Sequence, residues 1–348
     1  MLAILTLLFG ILAAAPSAWA IAEENELALH PFLSYTAMGQ GMGNAVASIP
    51  GTPSNVWINP AGLAWQKGYL LYAAPNDEVN DFQDARRDRV FMASAKLSKN
   101  NTVGAAVILR DGGDRQFQFV DGDELTLIRT DILERVLLLS YARQIGSNWS
   151  AGVTGISYQH GADHDSLDGE ATFAATFGVL YKQGHTLGDL PVTSRAGVSV
   201  ANLGPTFMIG NRESDLPLYA RFGYSSRYEK DRNNTVTVAA DVYNLLRDRT
   251  VDLGGDENTT TIDRLGWSVG TEIRVSGVVA VRLGYQSDDD ILLGGREGGT
   301  FGFGIGHELF RGIGGMFEYG RSPAPTANDS ADHFGVRLYY VPGLGLSQ

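Results

Sequence analysis

Apolar side chains alternate with small or polar ones in segments of about ten residues along most of the chain. In residues 265–275 one set of alternate positions is Leu265, Trp267, Val269, Thr271, Ile273 and Val275. The set between them is Gly266, Ser268, Gly270, Glu272 and Arg274. Successive side chains of a β-strand point to opposite faces. Such alternation is typical of a strand that has lipid on one face and an aqueous lumen on the other.

Fourteen segments show this pattern, and bacterial single-chain outer-membrane barrels have even strand numbers. They span residues 68–75, 89–97, 102–110, 134–143, 149–159, 171–182, 193–203, 217–228, 235–245, 265–275, 277–287, 299–308, 312–321 and 333–341. None of them reaches the roughly 20 consecutive apolar residues that a membrane helix needs. We therefore predict an all-β fold, a single transmembrane antiparallel β-barrel of about 14 strands.

The linkers between these segments alternate between long and short. The long ones are residues 76–88, 111–133, 160–170, 204–216, 246–264, 288–298 and 322–332. The intervening linkers are short, except for residues 183–192. Outer-membrane barrels have short periplasmic turns and longer external loops. A soluble β-solenoid or sandwich has no reason to alternate in this way, so the linkers support the barrel and predict that the first strand leaves the periplasm.

The most continuous apolar stretch is residues 1–20, which ends in Ala18, Trp19 and Ala20. This small-x-small ending is typical of a signal peptidase site. We interpret residues 1–20 as a signal peptide that is cleaved near Ala20, and an anchoring helix is the alternative. The division that follows is residues 21–67 as an amino-terminal segment without alternation and residues 68–348 as the barrel.

Composition excludes several classes of function. The formal net charge is -12, which argues against a nucleic-acid partner because such binding depends on Lys and Arg. The chain has no cysteine, so a disulfide framework, a thiolate metal site and a cysteine nucleophile are all excluded. We expect no cofactor, and we expect outer-membrane lipid as the surrounding partner.

The densest group of potential metal ligands is His160, Asp163, His164 and Asp165. It falls in a predicted external loop, where flexibility disfavours a preorganised metal site, so we predict no metal. The chain has six histidines, and none stands at a recognisable spacing from a serine nucleophile. We therefore predict a protein that is not an enzyme.

Charged residues are predicted on the lumen faces of several strands. They are Arg195, Arg221, Asp241, Glu272, Arg274, Arg282, Glu308, Glu318 and Arg337. Opposite charges inside a barrel most often pair across strands and brace it. A conducting route would use the same groups, so both interpretations stay open.

An apolar run, Phe207, Met208 and Ile209, interrupts a predicted external loop. It is a candidate lip that captures a hydrophobic ligand or a partner protein. The alternative is a loop apex that packs on its neighbours or enters the lipid.

Residues 36–65 lack alternation and contain Gly39, Gly41 and Gly43. Their spacing is G-x-G-x-G and not the G-x-G-x-x-G of a dinucleotide site, and no apolar strand precedes them. A phosphate-binding loop is therefore a poor interpretation. Glycines at this density allow tight turns and close approach of backbones.

The runs G-M-G-N-A-V-A (41–47) and N-P-A-G-L-A (59–64) resemble the amino-terminal signature of the PorV/PorQ family, which is related to the FadL-like long-chain fatty-acid transporters. Further similar runs are 200–205, 215–218 and 281–285. Trp57 is displaced by one residue from the family pattern, and residues 342–348 follow the aromatic residue that usually ends such barrels.

This resemblance implies a fourteen-stranded barrel in which the amino-terminal segment, residues 21–67, folds into the lumen as a hatch. We call these residues the hatch segment. The motif residues carried over are Gly39, Gly41, Met42, Gly43, Asn59, Pro60, Ala61, Gly62 and Leu63.

The resemblance also implies two functional models. The first is binding and passage of small hydrophobic compounds across the outer membrane. The second is a type IX secretion scaffold or shuttle that holds secreted cargo at the cell surface, with secretion-system or cargo proteins as partners. A structural barrel with neither role is the third possibility.

Overall fold

The computed structural model describes residues 35–80, 83–121, 124–163, 168–209, 212–231, 233–246, 250–252, 259–261, 265–288, 297–310, 312–323 and 330–342. The predicted signal peptide, its cleavage near Ala20 and residues 21–34 of the hatch segment lie outside the described residues.

Strands dominate the described chain. They are β1 (Tyr69–Asn80), β2 (Gln83–Lys96), β3 (Asn101–Asp121), β4 (Glu124–Ile145), β5 (Trp149–Ala162), β6 (Thr172–Leu187), β7 (Leu190–Leu203), β8 (Phe207–Ile209), β9 (Arg212–Ser214), β10 (Tyr219–Glu229), β11 (Thr235–Leu245), β12 (Thr250–Asp252), β13 (Thr259–Thr261), β14 (Leu265–Val275), β15 (Val279–Asp288), β16 (Gly298–Phe310), β17 (Ile313–Pro323) and β18 (Ser330–Tyr340).

Fourteen of these strands form one closed antiparallel barrel in the order β1-β18-β17-β16-β15-β14-β11-β10-β7-β6-β5-β4-β3-β2. The short strands β8 and β9 form one separate hairpin, and β12 and β13 form another. Each barrel strand pairs with the barrel strands that precede and follow it in the chain, and β1 closes the ring on β18. The predicted fold, a single antiparallel barrel of about 14 strands, is confirmed.

The outer face of the barrel is apolar. Leu139, Phe173 and Leu283 are each about 60% exposed or more, although they lie within strands. In β14 the exposed positions include Leu265 and Ile273, as the alternation predicts. A continuous apolar outer face on a closed barrel is the surface that lipid covers.

Three predicted linkers were wrong in part, because they continue as paired strands. β1 and β2 remain paired as far as Asn80 and Gln83, and β3 and β4 as far as Asp121 and Glu124. Residues 183–192 likewise form the end of the β6–β7 hairpin. Backbone pairing continues beyond the lipid-facing part, where the outer side chains no longer need to be apolar and the alternation disappears.

The hatch segment contains the short helix α1 (Ala37–Gly41) and two 3₁₀ helices, Pro53–Val56 and Pro60–Trp65. Thr36 caps α1, since its Oγ1 accepts a hydrogen bond from the Gly39 N–H at 3.0 Å. No helix in the described part of the chain is long and apolar enough to cross a membrane.

The core lies between the hatch segment and the inner face of the barrel. Met42, Ile58 and Leu63 of the hatch segment have no exposed surface, and Leu138 of β4 packs in the same apolar cluster. The structure therefore places residues 35–66 inside the ring of strands.

Candidate functional site

We call the end of the barrel with the long linkers the long-loop end, and the opposite end the short-turn end. The hatch segment packs against the inner wall between them, largely through glycines on the wall. An added Cβ would overlap a hatch backbone atom at Gly152, Gly197, Gly270, Gly284 and Gly320. The inward glycines therefore let two backbones approach directly.

Gly43 is the tightest point of the predicted hatch motif. Its φ is +62°, and a Cβ there would lie 2.6 Å from the carbonyl oxygen of Tyr285 and 2.7 Å from that of Val269. Both the backbone conformation and the space at this position favour glycine. Gly39, Gly41 and Met42 lie in or directly after α1 and are buried.

Asn59 holds the second half of the motif in place. Its Nδ2 donates to the Ala47 carbonyl at 2.9 Å and to the Val179 carbonyl of β6 at 3.3 Å. Its Oδ1 accepts from the Ala61 N–H at 3.2 Å and so caps the helix that Pro60 begins. Ser150 of β5 donates to the Ala61 carbonyl at 2.9 Å. Gly62 and Leu63 complete the buried helix.

A buried ion pair binds the hatch segment to the neighbouring strands β10 and β11. Asp241 of β11 accepts hydrogen bonds from the Val46 and Ala47 N–H groups at 3.0 and 2.9 Å. Arg221 of β10 lies 3.6 Å from Asp241 and donates to the Asn44 carbonyl at 3.3 Å. Arg221 and Asp241 therefore face the lumen, as parity predicts, and their contacts favour the bracing interpretation.

A second network spans five neighbouring strands, β14 to β18, and four of them contribute its charged residues. Arg282 of β15 pairs with Glu272 of β14 at 2.8 Å and with Glu318 of β17 at 2.9 Å. Arg337 of β18 also pairs with Glu318, and Arg274 with Glu272 at 3.2 Å. Except for Arg274 and Glu272, which both lie on β14, these predicted lumen charges pair across strands, as the bracing interpretation expects. The side chain of Glu308 lies outside the described residues.

A third polar cluster, at the long-loop end, was not predicted. Arg110 pairs with Asp88 at 2.8 Å and Glu134 at 3.4 Å, and it donates to the Tyr35 hydroxyl of the hatch segment at 3.1 Å. The Tyr158 hydroxyl donates to Glu134. Alternation could have shown these side chains, because Arg110 shares its inward parity with Ile108, but they stand at the ends of predicted strands.

The predicted lip, residues 207–209, is more buried than an external loop is expected to be. Phe207 and Ile209, in the β8–β9 hairpin, are buried, and Met208 is 36% exposed. The Phe207 ring lies 5.5 Å from that of Tyr158 on the inner wall. The hairpin therefore packs over the long-loop end of the lumen.

The same end of the lumen carries further aromatic and aliphatic side chains. The Tyr35 ring meets the Trp57 ring edge to face at 5.7 Å. Leu216 belongs to the same buried cluster. We call Tyr35, Trp57, Tyr158, Phe207, Ile209 and Leu216 the upper lumen surface. It lies between the hatch segment and the β8–β9 hairpin.

The candidate metal ligands do not come together in the described chain. His160 is fully buried, 3.6 Å from Glu134, whereas Asp163 is exposed. His164 and Asp165 lie outside the described residues. Within the described ranges, no group of three or more His, Asp or Glu residues could hold a metal ion.

The chain has the fold of known hydrocarbon channels. It is similar to the Ralstonia pickettii toluene transporter TbuX, with a TM-score of 0.50, 11% identity and coverage of 88% of this chain and 97% of that one. The Pseudomonas putida toluene transporter TodX gives the same values. For the CymD monoaromatic hydrocarbon channel the TM-score is 0.52 and the identity 11%, and the alignment covers 88% of this chain and 96% of that one. No protein-family model and no curated protein matches the sequence.

At these identities the similarity shows a shared fold. The chain is thus a fourteen-stranded barrel of the outer-membrane type, with residues 35–66 packed inside the ring.

Proposed function

We propose that this protein binds small hydrophobic compounds and passes them across the bacterial outer membrane, as a non-enzymatic barrel of the PorV/PorQ type within the FadL-like group. The upper lumen surface carries this proposal. It gathers buried apolar and aromatic side chains next to the hatch segment, at the end of the barrel where the long external loops are expected, and a ligand would enter by separating them. Residues 1–20 would direct export and be removed near Ala20.

The size of the hydrophobic effect suits capture followed by release. A compound the size of one aromatic ring buries roughly 150 Å². At about 25 cal/mol per Å² this stabilises the bound state by about 4 kcal/mol, which corresponds to a millimolar dissociation constant. Binding of this strength concentrates a ligand without trapping it.

Passage requires the hatch segment to move. Its side chains fill the lumen beside the wall, and Asn59 and Asp241 attach it to the nearby strands β6 and β11. These attachments are hydrogen bonds and ion pairs, which break and reform without loss of the barrel pairing. The hatch glycines Gly39, Gly41 and Gly43 would let its backbone leave the wall and return.

A reversible covalent link tests this mechanism directly. A Cβ at Gly104 of β3 would lie 3.3 Å from Val56 Cγ2 in the hatch segment, so two cysteines at these positions are within reach of each other. The chain has no other cysteine to interfere. In the double variant Val56→Cys, Gly104→Cys we expect oxidation to abolish uptake of radiolabelled toluene by cells without other hydrocarbon channels, and reduction to restore it.

The single variant Val56→Cys under the same oxidant is the control and should transport in both states. Heat-modifiable migration in detergent gels would show that the barrel assembles in every variant. Equal uptake by the oxidised and reduced double variant, with the disulfide verified by mass spectrometry, would overturn passage through a moving hatch segment.

A specific observation favours the second candidate, a secretion scaffold. β3 and β4 pair from Asp114 to Asp121, whereas the described pairing of β3 with β2 ends at Asp111 and that of β4 with β5 ends at Ile132. The two strands form a ribbon that extends beyond its barrel neighbours. A partner could add a strand to such an edge.

Shortening this ribbon separates the two candidates. Replacing residues 114–131 with a two-residue Asn-Gly turn should leave toluene uptake unchanged in a transporter. In a scaffold, the same deletion should release secreted cargo from the cell surface, measured by comparing cell-bound and medium fractions. Retained cargo together with unchanged uptake would exclude the scaffold model.

A further inference from the structure

The inner wall at the short-turn end carries three cations on neighbouring strands. Lys182 of β6 is the register partner of Arg195 of β7. Arg195 lies opposite Ser225 of β10, and Arg227 lies two residues further along that strand. These side chains share the inward parity of the three strands. We call Lys182, Arg195 and Arg227 the basic patch.

Arg195 differs from the other deeply buried arginines. It is 6% exposed, and among the described residues its Nε has no hydrogen-bond partner and no carboxylate pairs with its guanidinium. Arg110, Arg221 and Arg282, which are equally buried, each pair with a carboxylate. A buried charge without a partner is unfavourable, so Arg195 calls for an anion that the described part of the chain does not supply.

The neighbours of Arg195 do not balance its charge. The Lys182 ammonium lies 4.7 Å from the centre of the Trp65 ring, a contact that leaves its charge unneutralised. Arg227 pairs with Glu229 at 3.1 Å, and both are more than a third exposed. Glu229 also attracts Arg195 and Lys182, but it is one carboxylate among three cations. The patch therefore keeps a net positive charge, and Lys67 of the hatch segment adds to the field at Lys182.

The hatch segment contributes a hydroxyl at the same level of the barrel. Ser225, opposite Arg195, donates to the Ser48 carbonyl at 3.4 Å. The Ser48 Oγ is buried, and no partner for it exists among the described residues. A guanidinium and a hydroxyl without acceptors are the donors that bind an oxyanion.

We propose that Arg195, with Lys182, Arg227 and Ser48, forms an anion site that takes the phosphate or carboxylate group of a ligand at the short-turn end of the lumen. Guanidinium groups match such planar or tetrahedral oxyanions with paired N–H donors. Because the donors come from both the wall and the hatch segment, the bound anion would join the two. Two sources carry this chemistry, a phospholipid headgroup and free phosphate.

The test compares the full-length protein with Arg195→Gln and with Arg143→Gln. Arg143 is an exposed arginine of β4 that also lies at the short-turn end, so its replacement changes the net charge by the same amount. In detergent, inorganic phosphate at constant ionic strength should raise the wild-type Tm by about 3 °C. Arg143→Gln should respond in the same way. Arg195→Gln should show no response, yet be at least as stable as wild type without phosphate, since it removes an unpaired buried charge.

Phospholipid vesicles identify the source. If phosphatidylglycerol vesicles, but not inorganic phosphate, stabilise the wild type over Arg195→Gln, the ligand is a lipid headgroup. A response to phosphate without phospholipid identifies a free anion. Lys182→Gln serves as a second variant and should weaken either response several-fold.

Two results would overturn the site. One is a wild type that responds to neither probe. The other is an Arg195→Gln variant that is destabilised in anion-free buffer and still responds to both probes, because Arg195 would then be structural and not a ligand contact.

Discussion

At the scale of single residues, Gly43 shows what the hatch segment requires. Gly43 and Gly51 both have positive φ, +62° and +71°. A Cβ at Gly51 would meet only the Gln66 Cα at 3.8 Å, whereas at Gly43 it would press against two wall carbonyls. The two glycines therefore separate the cost of backbone conformation from the cost of lost space.

We expect Gly51→Ala to destabilise the protein by about 1–2 kcal/mol, the cost of a left-handed backbone for a residue with a Cβ. Gly43→Ala should cost at least twice as much, because the wall strands cannot yield without breaking their pairing. Urea unfolding in phospholipid vesicles measures both. Equal losses would show that the hatch segment is not held tightly against the wall at Gly43.

The sequence predicted which face of a strand a charged residue lies on, but not which groups that residue contacts. It placed Arg221 and Asp241 on the lumen face from parity alone. It could not show that Asp241 binds the N–H groups of Val46 and Ala47, because those groups belong to a segment far away in the chain. Sequence also could not show that Arg195, unlike Arg221, pairs with no carboxylate among the described residues, because parity places a charge on a face and does not identify its neighbours.

At the scale of elements, alternation predicted the strands wherever lipid imposes it. The predicted segments 235–245 and 265–275 coincide with β11 and β14. Alternation did not show where the strands end, because the β3–β4 ribbon and the β6–β7 hairpin continue by backbone pairing alone. Their outer faces do not need to be apolar there, so the signal disappears while the structure continues.

The β8–β9 hairpin shows a similar limit. Its apolar run, Phe207, Met208 and Ile209, was identified, and two interpretations were left open. Two of its three side chains are buried against the lumen, which sequence could not indicate because a three-residue strand carries too little periodicity. Its role as a capturing lip stays a prediction.

At the scale of the whole molecule, the barrel reverses the usual arrangement of a globular protein. Its apolar side chains face outward to lipid, and its interior holds both a small apolar core and the buried charge networks. The desolvation cost of these buried networks is offset because their charges pair with opposite charges or with polar groups of the wall and the hatch segment. The basic patch is the place where the described residues depart from this rule.

Two outward-facing leucines lie at different depths of the lipid-facing surface. Leu283, in the middle of β15, and Leu97, in the turn after β2, are 62% and 63% exposed. A charge is costly at the bilayer centre and tolerated near its surface. Leu283→Arg should therefore lower the free energy of unfolding by about 2–4 kcal/mol, and Leu97→Arg should lower it by about 0–1 kcal/mol. Urea titration in phospholipid vesicles measures the difference. In detergent micelles, which hydrate the arginine, the difference should shrink. Equal losses in vesicles would mean that β15 does not cross a bilayer, and they would contradict the assignment of the barrel to the membrane.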